Sequence, residues 1–147
     1  MIKNKKGFTL IELLVVIAII GILSSVVLAS LNTARGKGND AKVKAQLSGL
    51  RASAEIYYDS NTQSYGPAST LSCTTNMFAD TVSGMASYAT QANYPTGATL
   101  SCNSTAAAYA VSALLPGAGG TNSWCVDSKG KSKPETAAIG SGVVVCP

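Results

Sequence analysis

The chain has 147 residues, room for one small domain and one long apolar helix, and only 12% of them are charged. Histidine is absent, which excludes Ser/His and Cys/His nucleophilic machinery, and the seven acids are scattered without a close pair beside an obvious base. The net charge is +4, but Lys3, Lys5 and Lys6 precede Gly7, so a chain starting at Phe8 carries a side-chain charge of only +1, too small a surplus for sustained nucleic-acid binding.

After those lysines, Gly7-Phe8-Thr9-Leu10-Ile11-Glu12 opens an apolar stretch that reaches Leu31, with no charged residue from Leu13 to Leu31. About 20 apolar residues at about 1.5 Å each cross a hydrocarbon layer as a helix. Glu12 sits just inside its start. An unpaired charge in lipid costs roughly 2.5–3.5 kcal/mol on insertion scales, so the carboxylate calls for a partner. The next cation along the helix is Arg35, at the far end. The partner is therefore expected from another chain or from a new amino terminus. Two simpler readings compete. A secretory signal peptide cut after Val27-Leu28-Ala29 is opposed by Glu12, because an acid hinders insertion of the apolar region. For a plain signal anchor, Lys3, Lys5 and Lys6 on one side and Arg35, Lys37, Lys42 and Lys44 on the other leave the charge bias ambiguous.

The run from Lys3 through Gly7-Phe8-Thr9-Leu10-Ile11-Glu12 to Leu23 resembles the class III signal of type IV pilins and type II secretion pseudopilins. The resemblance implies cleavage between Gly7 and Phe8 by a prepilin peptidase, N-methylation of Phe8, and neutralisation of a neighbour's Phe8 amine by Glu12 during fibre assembly. A carboxylate four residues on lies about 6 Å further along the helix axis. A neighbour displaced by that much brings its amine level with it, and the best-attested use of such a pair is to fix register. One departure is Ala29, where many pilins have proline and pseudopilins often do not.

Beyond Leu31, Asn32–Asp40 contains Gly36 and Gly38, each weakening a helix by roughly 1 kcal/mol relative to alanine. Either Asp40 caps a second helix or one long helix has a soft point here; the resemblance favours the single helix. From Ala41 to Ser60, Val43, Leu47, Leu50, Ala54 and Tyr57 form an apolar stripe, the expected platform for a sheet. Asn61–Leu100 is rich in Ser, Thr, Gly and Asn. A short helix is predicted within Met77–Ala92, with Phe78, Val82 and Met85 covering one side of the core. The alternation of Tyr109, Val111 and Ala113 predicts a first strand over Ala106–Leu115. Further strands are predicted over Asn122–Ser128 and from Lys131, joined by a turn at Asp127–Lys131 with Gly130 at positive φ, and a last short segment over Gly142–Cys146. Short connections make the pairing antiparallel.

Cys73, Cys102, Cys125 and Cys146 contain no C-x-x-C pair, so two disulfides are expected in an exported domain. Three connectivities are open and the sequence does not choose; the sequential pairing, Cys73–Cys102 and Cys125–Cys146, is carried forward. Asp127 and Asp80 are candidate calcium ligands, but a lone Asp at a hairpin is usually a turn former, and no metal and no cofactor are predicted. Asn103-Ser104-Thr105 fits a glycosylation sequon. Lys129, Lys131 and Lys133 read as a solvated hairpin rather than a DNA contact.

The expectation is an α+β chain: residues 1–7 a leader, 8–31 a transmembrane and assembly helix, 32–60 its amphipathic continuation, and 61–147 an extracytoplasmic domain with a small antiparallel sheet. The resemblance makes this a pilin fold and a non-enzymatic structural subunit of a homo-oligomeric helical fibre shared with related pilins. Its implied partners are a prepilin peptidase and an inner-membrane assembly platform. The precursor would cross the cytoplasmic membrane once, amino terminus inside, and the fibre would be extracellular. The alternatives are a pseudopilin of a type II secretion system, a DNA-uptake pilus subunit, and a monomeric signal-anchored binding domain.

Overall fold

Helix α1 spans Leu10–Ser60 in a computed structural model that describes residues 7–147; the basic leader residues Lys3, Lys5 and Lys6 lie outside the described residues. The chain divides into two units, Met1–Arg35 and Gly36–Pro147. In the first unit every described residue is exposed in the lone chain, including Phe8, Leu10, Ile11 and Ile22. This helix is long and apolar enough to cross a membrane. Two of its hydroxyls are turned back on its own backbone: Ser25 donates to the Ile22 carbonyl at 2.7 Å and Thr33 to the Ala29 carbonyl at 3.2 Å. Such bonding satisfies those two donors within the helix itself.

In the second unit α1 buries the predicted stripe. Val43, Leu47, Leu50 and Ala54 are fully buried, Tyr57 is half-buried, and Ser53 joins the buried face. Burying each of the large aliphatic side chains contributes about 1.5–3 kcal/mol. Asp40 does not begin a new helix, because α1 runs through it. Instead its carboxylate accepts the Gly117 N–H at 2.7 Å, and Gly36 lies against the same loop, where a Cβ would come within 3.0 Å of the Gly117 Cα. The soft point expected from composition is thus the place where the helix backbone lets another backbone approach. Beyond Ser60 the chain turns through Thr62 and Gln63 at φ of 53° and 56°, and the Asn61 side-chain amide donates to the Tyr57 carbonyl at 2.9 Å.

The sheet contains β1 (Leu100–Ser104), β2 (Tyr109–Leu114), β3 (Ser123–Asp127) and β4 (Ser132–Glu135), in that order and wholly antiparallel. The first predicted strand is shorter at its start than Ala106–Leu115, and it is the second of the four. The missed strand, β1, reads Leu-Ser-Cys-Asn-Ser, a polar run that looks like the loop before it. Gly142–Cys146 is not a strand; it is held by side chains. The helix predicted within Met77–Ala92 is also broken. A 3₁₀ turn at Asn76–Ala79 and a five-residue helix α2, Met85–Ala89, flank a turn in which the Asp80 carboxylate accepts the Ser83 N–H at 2.7 Å and its hydroxyl at 2.6 Å. Gly84, at φ +80°, completes the break. Phe78 and Met85 are buried as expected, whereas Val82, on the turn, is 90% exposed.

Strand alternation sorts the sheet into two faces. Tyr109, Val111, Ala113, Val126, Cys102 and Trp124 pack towards α1, together with Phe78, Met77 and Met85. The opposite face carries Ala110, Cys125, Asn103, Ser112, Ser123 and Asp127, and it too is buried, under the C-terminal segment that follows β4. That segment has no regular hydrogen-bond ladder of its own. The Ser112 hydroxyl accepts the Ile139 N–H at 3.0 Å, the Ser123 hydroxyl donates to the Ala137 carbonyl, and Asp127 accepts the Cys146 N–H at 2.9 Å. A polar strand face therefore does here what a ladder does elsewhere: it satisfies buried backbone.

Candidate assembly segment

Thr9 and Glu12 form a reciprocal cap at the start of α1. The Thr9 N–H and hydroxyl both donate to Glu12 Oε2, at 2.8 and 2.7 Å, and the Glu12 N–H donates to the Thr9 hydroxyl at 3.2 Å. The spacing Thr-x-x-Glu explains the geometry, since the residue before the first helical turn and the third residue of that turn face each other across the orphan N–H groups. This corrects one expectation. The sequence argument left the carboxylate without a partner in its own chain, whereas Thr9 supplies two donors to one of its oxygens. It supplies no positive charge, and among the described residues Glu12 Oε1 makes no hydrogen bond. The arrangement leaves one carboxylate oxygen for a cation presented from outside. Gly7 and Phe8 precede the helix in open surroundings, and Phe8 is exposed. Thr9 is the residue that sequence reasoning missed, although a capping-box search would have found it.

Glu12 is the sole charged residue between Phe8 and Ala34. The surface around it is aliphatic on every side rather than along one stripe, the pattern of a helix made to be surrounded by lipid or by apolar neighbours.

The remaining singled-out residues lie in the second unit. The cysteines pair as Cys73–Cys102, with Cα atoms 5.1 Å apart, and Cys125–Cys146, with Cα atoms 5.9 Å apart. The first ties the Asn61–Leu100 connection to β1. The second ties the C-terminus across β3 on the face away from α1. Asn103 of the sequon is fully buried, and its amide is saturated: Oδ1 accepts the Leu71 N–H at 2.8 Å and the Gly142 N–H at 3.3 Å, while Nδ2 donates to the carbonyls of Gly140 and Val143 at 2.9 and 3.0 Å. The folded chain offers no free amide there for glycosylation. Asp127 and Asp80 do not converge. Asp127 Oδ1 accepts the Lys129 and Lys131 N–H groups, both at 2.9 Å, shaping the hairpin around Gly130 at φ +86°. Asp80 is held by Ser83, whose hydroxyl and then N–H keep its carboxyl below the ordinary value. No group of three potential metal ligands occurs among the described residues. The hairpin lysines are also separated in role: Lys131 donates to the Cys146 carbonyl at 2.9 Å and Lys133 pairs with Glu135 at 3.1 Å.

Comparison with known proteins bears on the amino-terminal segment above all. Residues 2–28 match the family described as the prokaryotic N-terminal methylation motif. Over 71 residues the chain is 45% identical to the type IV wide pilus major component PilA4 of Thermus thermophilus, a stretch that covers 48% of this chain and 54% of that protein. The chain thus spans about half the length of the curated relative it matches. No solved structure matches the chain.

Proposed function

From the amino-terminal methylation motif and the likeness to a pilus major component, we propose that this chain is a structural, non-enzymatic subunit of the type IV pilin kind: a prepilin cleaved after Gly7, N-methylated at Phe8 and polymerised into a pilus fibre through residues 8–31. The observation that carries the proposal is the amino-terminal motif set on a helix whose apolar surface is exposed all round in the lone chain. Before assembly, lipid covers that surface and the chain is a membrane-anchored precursor. After assembly, the same segments of neighbouring copies cover one another. The Thr9–Glu12 cap leaves Glu12 Oε1 facing outward, and a neighbour's Phe8 amine, level with it after an axial step of about 6 Å, supplies the missing positive charge. The pair sets the stagger more than it adds stability, since desolvation offsets much of the attraction. A prepilin peptidase and a membrane assembly platform are the partners this requires. Similarity to a pilus major component supports a pilus over a secretion pseudopilus, and the two covalently tied loops suit a domain exposed outside the cell.

The test is fibre recovery from sheared cells. The parent yields fibres containing this chain. Glu12→Ala, which removes the outward carboxylate, reduces the yield by at least tenfold with the precursor still present in the membrane. Equal yields from the two strains, or no fibres from the parent, contradict the proposal.

A further inference from the structure

The two outer edges of the sheet are finished differently. The β4 edge carries Pro134, which has no N–H to offer, between Lys133 and Glu135, and such residues discourage pairing with another chain. No proline interrupts β1, and its outer edge is instead covered by residues 67–76. Ser69 and Ser104 exchange N–H to carbonyl bonds, both at 2.9 Å. The Ser72 N–H donates to the Cys102 carbonyl at 3.1 Å, and the Leu71 N–H donates to Asn103 Oδ1 at 2.8 Å. The Cys73–Cys102 disulfide adds a covalent tie at the same place.

The covering segment is a flap closed by its own side chains. The Asn76 amide donates to the Pro67 and Ala68 carbonyls at 3.3 and 3.1 Å, and the Ser69 hydroxyl bonds the Ser72 carbonyl at 3.0 Å and the Thr75 hydroxyl at 3.1 Å. A loop packed on itself in this way can leave a sheet without dissolving. Buried Tyr65 on one side and buried Met77 and Phe78 on the other anchor its two ends. Its backbone is strained at Leu71, where φ is 50°, in the left-handed region that a bulky side chain avoids. The Asn103 bond and the disulfide two residues on hold that conformation. The two disulfides also differ in access. Cys125 and Cys146 are both fully buried, and the backbone of Cys146 is enclosed by Asp127 and Lys131. Cys73 is half-buried and is followed by exposed Thr74, Thr75 and Asn76. Thiol–disulfide exchange requires a thiolate to reach one of the two sulfurs, and of the four cysteines Cys73 is the one with surface open to solvent.

We propose that Cys73–Cys102 is a redox latch that closes the flap of residues 67–76 over the β1 edge. A dithiol reductant opens it. One thiolate of the reductant attacks Cys73 Sγ, the S–S bond breaks, and Cys102 leaves as a thiolate that takes up a proton. The second thiol of the reductant then displaces Cys73, so the chain gains two thiols while the reductant becomes a disulfide. Hydrogen bonds then hold the flap alone, and the strain at Leu71 works against them. The flap lifts between its buried anchors. The Cys102 carbonyl and the Ser104 N–H and carbonyl become free to pair with an extended strand, the hazard that a covered edge avoids. Reoxidation seats the flap again. The far face of the sheet keeps its own ties, Cys125–Cys146 and the Asp127 bond to Cys146. The latch acts within one chain and does not rest on the fibre proposal.

The experiment treats the full chain in detergent micelles with limiting dithiothreitol. Thiols are trapped with N-ethylmaleimide at intervals, and peptide mass spectrometry reads the label at each cysteine. Cys73 and Cys102 should be labelled about tenfold faster, or more, than Cys125 and Cys146. In the partly reduced chain before trapping, hydrogen exchange should quicken about tenfold or more at the Ser69, Ser72 and Ser104 amides, with Val111 and Val126 in the centre of the sheet unchanged. Reoxidation should restore the slow rates. The double variant Cys73→Ser, Cys102→Ser should show the fast exchange with no reductant present. Equal labelling of the two pairs, or earlier labelling of Cys125 and Cys146, overturns the proposal. So does selective opening that leaves Ser104 as protected as before, or a loss of protection that spreads to Val111 and Val126.

Discussion

Replacing Asn103 by alanine isolates the contribution of one side chain that joins three separate segments. The amide links the Leu71 turn, β1 and the loop from Gly140 to Val143 through four hydrogen bonds between 2.8 and 3.3 Å. Each bond contributes about 0.5–1.5 kcal/mol, and a partner left buried and unpaired costs about 1–3 kcal/mol. Leu71, Gly140 and Gly142 lie near solvent and regain water, whereas Val143 is half-buried. The expected loss is therefore about 2–4 kcal/mol rather than the sum of four full penalties. Trp124 is the single tryptophan and sits on β3, so its fluorescence during urea unfolding of the oxidised chain in micelles reports on this sheet. The midpoint should fall with an unchanged slope, since the surface exposed on unfolding is the same. Amide exchange at Val143 and Cys146 should accelerate more than at Leu47. A loss below about 0.5 kcal/mol, within the range of ordinary surface substitutions, would refute the assignment of Asn103 as the anchor of the C-terminal segment.

Three further predictions follow from the same contacts. Gly117→Ala drives a Cβ into the Gly36 carbonyl and towards Asp40, so it should cost about 1–3 kcal/mol and break the Asp40–Gly117 bond; unchanged stability by the same unfolding assay would remove the close approach as a constraint. Replacing Cys125 and Cys146 together by alanine opens a loop with a sequence separation of 21, which should lower stability by about 3.4 kcal/mol in the chain-entropy account while the Asp127 hydrogen bond still guides the C-terminus; calorimetry of the folded variant checks both parts. Asp80 has a folded-state value depressed chiefly by the Ser83 hydroxyl, so its contribution is present at neutral pH and disappears as the pH falls through that lowered value, below the usual carboxylate range. The stability gap between the parent and Asp80→Asn should close in acid, and a gap that widens there contradicts the assignment.

The readable parts of the fold were those governed by periodicity. The α1 stripe from Val43 to Ala54 repeats every three to four residues and is buried where expected. The alternation of Tyr109, Val111 and Ala113 placed β2, and the glycine turn after Asp127 placed the β3–β4 hairpin. What stayed hidden was governed by tertiary burial of polar side chains. Nothing in the sequence marked Asn103, Ser112, Ser123 and Asp127 as a buried face; they are buried because an unladdered C-terminal segment needs their donors and acceptors. For the same reason β1 looked like loop. The 3.6-residue spacing of Phe78, Val82 and Met85 misled because Asp80 and Gly84 interrupt the helix locally. At the amino terminus the cap of Glu12 by Thr9 is encoded by the Thr-x-x-Glu spacing, a signal that hydropathy and charge alone do not carry.

Intact-mass and terminal-peptide spectrometry of the protein purified from its native membrane or fibre tests the central proposal most directly. The account predicts a chain that begins at Phe8 and carries one methyl group on its amine, with Glu12 four residues on. A chain that still begins at Met1, or one cut after Ala29, would contradict it.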